Sequence, residues 1–287
     1  MRHKIKTRIF KFLSLLPESV GYNLYHLLQN VASKITHEDK ILSTKKSIEI
    51  IKRILNENNI ILNDFKVAEL GSGWLPVLPY EFVLSAGVNR VETYDVNRFY
   101  KKKEIDKVND YYSKYFSFDV EKKRGYNLLS AVHYYPNTKI YEGDLKHIDL
   151  IISRFVLEHI PKKEIEKMHI HFANNLKSGA YILHLISPSD HRAYTDKSLS
   201  LQDFLKYSEN EWQNIQTKFD YHNRLRLPQY LEILAKEFDL LYYEHDQVDQ
   251  QSVEYFKFKK LNIHDDFLKY SDSELMAGSI NVLLRKR

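Results

Sequence analysis

The chain has 287 residues, 43% hydrophobic and 28% charged, with a net charge of +5. That balance suits a chain able to bury a sizeable core, and the mild charge gives little reason to expect an anionic partner. There is no cysteine, which excludes a disulfide framework, a thiolate zinc site and a cysteine nucleophile. This usage fits a reducing compartment, so a cytoplasmic location is expected. No run of about 20 apolar residues is present, so no membrane-spanning helix is expected, and Lys11 breaks the first apolar stretch, unlike a secretory signal.

The first eleven residues carry Arg2, Lys4, Lys6, Arg8 and Lys11 and no acid. Ile5, Ile9, Phe12, Leu13 and Leu16 follow helical spacing. The segment reads as a helix packed on the domain with a solvated basic face, or as one touching anionic lipid or a lipid-linked substrate. Residues 44–58 read as an amphipathic helix. Lys66–Leu70 is a short strand ending in Gly71-Ser72-Gly73, and a helix follows between Pro76 and Gly87. Strands are expected at Val91–Tyr94, Ile140–Glu142, Leu150–Ser153, Tyr181–Ile186, Leu240–Tyr243 and Ile280–Leu284. Helices are expected at Pro161–Leu176 and Pro228–Lys236. This alternation predicts an α/β fold with a doubly wound, mostly parallel, seven-stranded Rossmann-like sheet. We expect a single domain with an N-terminal helical extension (1–58) and a core (60–287) interrupted at about 98–138 and 188–226. Long insertions in such folds are commonly lids or binding loops, and the first is expected to be a lid.

The strongest local signal is Val67-Ala68-Glu69-Leu70-Gly71-Ser72-Gly73. Glycines at a strand end let the backbone turn tightly beside a ligand. The next strand ends in Asp95, 24 residues after Gly71, where a carboxylate can accept from both hydroxyls of a ribose. A dinucleotide fingerprint would place a third glycine at Pro76. Glu69 would repel a pyrophosphate and suits a cation, such as the amino group of S-adenosylmethionine.

Glu69-Leu70-Gly71-Ser72-Gly73, Asp95, Asp149-Leu150-Ile151-Ile152-Ser153 and Leu157-Glu158-His159-Ile160 resemble the class I S-adenosylmethionine-dependent methyltransferases over about residues 60–287. Leu75 stands where that family usually has a further glycine. The resemblance implies S-adenosylmethionine as cofactor and S-adenosylhomocysteine as product. It implies that Glu69 and Gly71 meet the methionine part, that Gly73 lies beside the ribose held by Asp95, and that Ser72 between them also binds the cofactor. Asp144 would accept from the adenine amine, and Phe155 would line the transfer channel.

The second insertion carries Asp190-His191, Trp212 and Asn223-Arg224. The pattern is similar to methyltransferases associated with bacterial surface-glycan assembly, and implies a sugar hydroxyl of a lipopolysaccharide, capsule or other lipid-linked glycan as acceptor. Such a hydroxyl needs a base: His191, oriented by Asp190, is expected to serve. Trp212 is expected to stack on a sugar, Asn223 to contact the acceptor, and Arg224 and Arg226 to bind a phosphate or sugar carboxylate. A competing route places a divalent metal on Glu158, His159 and His191. Against a nucleic-acid acceptor, the basic residues are spread out rather than gathered in an aromatic-rich patch. A small-molecule acceptor and a non-catalytic binding module are the other readings.

Overall fold

The computed structural model describes residues 9–13, 15–16, 24, 36–217 and 219–287. In chain order the strands are β1 (Lys66–Leu70), β2 (Arg90–Asp95), the hairpin β3 (Val120–Lys123) and β4 (Tyr126–Leu129), β5 (Val132–Pro136), β6 (Leu150–Arg154), β7 (Tyr181–Ile186), β8 (Phe238–His245) and β9 (Ile280–Lys286). Seven of them form one sheet in the order β5-β2-β1-β6-β7-β9-β8. The first five in that order run parallel, and β9 lies antiparallel between β7 and β8. Val67, Ala68 and Leu150–Ile152 are wholly buried, as expected of central parallel strands covered on both faces. The chain winds outward from β1 to β5 and then returns to β6. The crevice at the C-terminal ends of β1 and β6 is therefore the switch point where ligands bind in such sheets.

Helix α1 (His37–Glu57) begins at Thr36, whose hydroxyl and backbone share a capping box with Asp39. Its apolar face, including Ile48, Ile51 and Ile54, packs with Val67 and Val91 of the sheet and with Phe82 of α2 (Val77–Ala86). Helix α3 (Lys102–Tyr112) buries Ile105, Val108 and Tyr112, and α4 (Lys162–Asn175) buries Ile165, Met168, His169 and Phe172. Among the described residues no helix is long and apolar enough to cross a membrane.

Two expectations are corrected. Ile140–Glu142 is a 3-10 turn rather than a strand, and the sheet's edge strand is β5, inside the segment expected to be a lid. Val132-His133-Tyr134-Tyr135-Pro136 alternates buried and half-buried positions, the pattern of a strand pairing along one edge. The rest of that segment is bonded into the fold. The Tyr112 hydroxyl donates to Glu81 at 2.7 Å, and Tyr80 bridges Asn109 (2.7 Å) and the Leu129 amide (2.9 Å). The N-terminal basic residues Arg2, Lys4, Lys6 and Arg8 lie outside the described residues; nearby, Phe10 and Leu13 are buried against Phe219.

Beneath the sheet, Ser153, His184 and His169 form a buried chain. The His169 Nδ1 donates to the Ile165 carbonyl at 2.9 Å. Its Nε2 therefore accepts from His184 Nε2 (3.1 Å), and His184 Nδ1 accepts from the Ser153 hydroxyl (2.7 Å). Both rings are consequently neutral, and burial pushes His169 down to about 4 and His184 well below its ordinary value.

Candidate active site

The Gly71 amide donates to the Tyr94 carbonyl at 2.8 Å, which closes the turn after β1. Gly71 sits at φ +85°, and a Cβ there would lie 2.5 Å from Val156 Cγ2. Gly73, at φ +59°, would meet nothing within 4 Å. The two glycines thus do different work: the first lets strand ends pack, and the second keeps a surface open. Glu69, Gly71, Ser72 and Gly73 line a cleft of about 290 Å3 whose opposite wall is α1, through Lys40, Ser43 and Thr44. Its size is near the lower end for small-molecule sites.

Glu69 is buried and accepts from the Thr93 hydroxyl. Burial pushes its carboxyl up to about 8, and the neighbouring Asp95 adds to that shift. Asp95 stands behind the turn and accepts from the amides of Asn97 (2.8 Å), Ser72 and Gly73. Burial outweighs those bonds and pushes it up to about 6. The register pairs Glu69 with Thr93 and Leu70 with Tyr94, so both carboxyls emerge at one end of adjacent strands. Asp144 is exposed, accepts from the Lys146 amide at 3.1 Å, and stands apart from the residues lining the cleft.

Arg154, at the end of β6, also lines the cleft, and no sequence pattern marks it. Its guanidinium donates to Ser47 (2.7 Å) and Ser43 (2.8 Å) of α1 and lies 4.5 Å from the Phe155 ring centre. Its charge favours the ionised forms of both Glu69 and Glu158. Phe155 is 39% exposed and holds φ +58°, a strained backbone for an aromatic residue.

Beyond Phe155 the chain makes a 3-10 turn, Leu157–His159. Asn223 staples this turn: its side chain donates to the carbonyls of Leu157 (2.7 Å) and Ile160 (2.8 Å), and its backbone amide donates to the Glu158 carbonyl (2.9 Å). The staple brings His222 to His159, with ring centres 4.4 Å apart. His191, just past β7, joins them: its Nδ1 lies 2.7 Å from His222 Nε2, and its ring centre 5.1 Å from that of His159. One ligand nitrogen from each ring lies within 4.8 Å of the others. His159 Nδ1 donates to the Tyr221 carbonyl at 3.0 Å, so its Nε2 carries the lone pair. Packing among these groups pushes the ring's pKa down.

Several sequence expectations are corrected here. Asp190 does not orient His191; it forms a buried ion pair with Arg192 (2.6 Å), which also reaches Asp203 (3.1 Å). Trp212 is buried, with Nε1 donating to the His222 carbonyl at 2.9 Å, so it supports the cluster instead of stacking on a ligand. Asn223 is the staple described above. Arg224 donates to the carbonyls of Phe204 (3.1 Å) and Tyr207 and to Glu209 (2.7 Å). Arg226 is wholly buried, with its guanidinium on the carbonyls of Arg224, Leu275 and Pro188. Glu158 is also turned inward: it accepts from the Ser187 amide at 3.3 Å, burial pushes it up to about 8, and it lies outside the histidine cluster. The ring on the surface beside His191 is Tyr194, 46% exposed, with centres 4.8 Å apart.

No family model matches the chain, and no curated protein matches it in sequence. Solved structures match its fold. Magnesium protoporphyrin IX methyltransferase from Synechocystis PCC 6803 with bound SAH is similar at TM-score 0.51 and 12% identity, with all of both chains covered. An SAM-dependent methyltransferase from Methanosarcina mazei is similar at TM-score 0.47 and 14% identity, covering 80% of this chain and 95% of that one. The N-methyltransferase NodS from Bradyrhizobium japonicum WM9 in complex with SAH is similar at TM-score 0.46 and 11% identity, covering 85% of this chain and 86% of that one. The chain has the class I S-adenosylmethionine-dependent methyltransferase fold.

Proposed function

We propose that this protein transfers the methyl group of S-adenosylmethionine to an acceptor hydroxyl beside the histidine cluster. The observation that carries the reading is the pair of buried carboxyls, Glu69 and Asp95, at the ends of adjacent parallel strands on either side of the Gly71–Gly73 turn. Glu69, once ionised, suits the cofactor's ammonium group. Asp95 suits the ribose hydroxyls, as a carboxylate has more acceptor sites than the three amides it holds. The sulfur–methyl bond breaks toward sulfur as the oxygen–methyl bond forms, and the hydroxyl proton leaves at the cluster. His191 is the proton acceptor in the metal-free protein. In the tautomer that donates its Nδ1 hydrogen to His222 across the 2.7 Å contact, its Nε2 is the basic nitrogen.

For the acceptor we propose a sugar hydroxyl of a surface or lipid-linked glycan, reached from the cytoplasm, with the basic N-terminal segment toward an anionic membrane face. The support is the sequence pattern around Asp190-His191 and Asn223-Arg224, together with Tyr194 as the exposed ring for a sugar face. Calorimetric titration with S-adenosylhomocysteine tests the cofactor. Binding that Asp95→Asn weakens by roughly 1.5–3 kcal/mol, the range for a hydrogen bond to a charged group, is expected; no binding by the folded protein overturns the reading. Transfer of labelled methyl to isolated glycan, and not to RNA, tests the acceptor.

A further inference from the structure

We propose that His159, His191 and His222 form a binding site for a divalent transition-metal ion of the zinc or cobalt type. Among the described residues these three rings converge from separate segments: the turn after β6, the turn after β7, and the stretch before the helix Leu227–Ala235. Three imidazoles around a tetrahedral ion, at about 2.0–2.1 Å each, put their nitrogens roughly 3.3 Å apart. The cluster brackets that spacing, with one pair at 2.7 Å and all ligand atoms within 4.8 Å.

The surroundings have the features of a ligand set held in place. His159 donates its Nδ1 hydrogen to a backbone carbonyl at 3.0 Å, which fixes its tautomer and aims Nε2 as the ligand atom. His222 is held through its carbonyl by Trp212 (2.9 Å) and through its amide by Gln216 (2.5 Å). The Asn223 staple fixes the turn that carries His159. An all-imidazole set favours zinc, cobalt, nickel or copper over magnesium or calcium, which prefer oxygen. Three protein ligands leave a position open. In the proposed reaction, on which this role rests, an ion there lowers the pKa of the acceptor hydroxyl, whose proton then passes to solvent rather than to His191. The ion's binding itself does not depend on that reading.

The test uses the full chain, stripped with a chelator and titrated with Co2+ while visible absorption is recorded, alongside calorimetry with Zn2+. One ion per chain is expected, with the intense d–d bands of a tetrahedral nitrogen site. His222→Ala and His159→Ala, the latter at the exposed member of the cluster, should each weaken binding by more than the ~10–100-fold typical of losing an outer-shell partner. His245→Ala, outside the cluster, should not weaken it. Absence of such bands in the wild type, or affinity equal to the wild type's in both cluster variants, overturns the site. S-adenosylhomocysteine binding without metal uptake removes the ion and leaves methyl transfer standing; metal uptake without cofactor binding does the reverse.

Discussion

Replacing Gly71 by alanine separates two contributions that the sequence merges. At φ +85° an L-residue is strained, by about 1–2 kcal/mol. The new Cβ would also press to 2.5 Å from Val156 Cγ2. Valine is stiff about χ1, so it cannot swing aside, and overpacking of this kind costs about 1–3 kcal/mol. The expected loss is therefore about 2–5 kcal/mol. Gly73→Ala meets open space at φ +59°, and should lose only the backbone part, about 1–2 kcal/mol. Urea unfolding of both variants, each also made in a Val156→Ala background, resolves the contributions. In that background the effect of Gly71→Ala should shrink to about 1–2 kcal/mol while that of Gly73→Ala stays the same, a coupling of about 1–3 kcal/mol confined to one glycine. Equal losses at the two glycines, or no coupling to Val156, would refute the packing argument.

Burial holds His169 at about 4 in the folded protein, against about 6.5 when unfolded. Its contribution to stability is present above pH 6.5 and is lost as pH falls from there toward 4, amounting to roughly 3 kcal/mol. The urea midpoint measured between pH 7 and 4 should show that decline, and His184, lowered for the same reason, should deepen it. Because Glu69 stands near 8, facing an ammonium group requires it to release its proton. Affinity for S-adenosylhomocysteine should fall as pH drops below about 8, with proton release detected as a buffer-dependent binding enthalpy; a pH-independent affinity between 6 and 8 would contradict this. Asn223→Ala removes two carbonyl contacts, the Tyr230 contact at 2.9 Å and the Leu225 amide contact at 3.1 Å. It should cost about 2–4 kcal/mol, from about 1 kcal/mol or more per buried bond, and accelerate amide exchange in residues 157–160.

Much of the cofactor side was legible in the sequence because its signals are local. Lys66–Leu70, the Gly71–Gly73 turn, a helix between Pro76 and Gly87, and a strand ending at Asp95 all follow from hydrophobic runs and turn residues within about thirty positions. The edge strand Val132–Pro136 was hidden by its position inside a long polar stretch, although its alternation was there to be read. On the acceptor side, residue type pointed the wrong way. Trp212, Arg224 and Arg226 resemble ligand-binding residues, yet each satisfies buried carbonyls of its own chain, because burial depends on what other segments cover. Asp190 and His191 are adjacent, but the carboxylate turns to Arg192. The meeting of His159, His191 and His222 was decided by tertiary structure alone. They come from three different connections, and only the winding of β6 and β7 and the Asn223 staple bring their rings together.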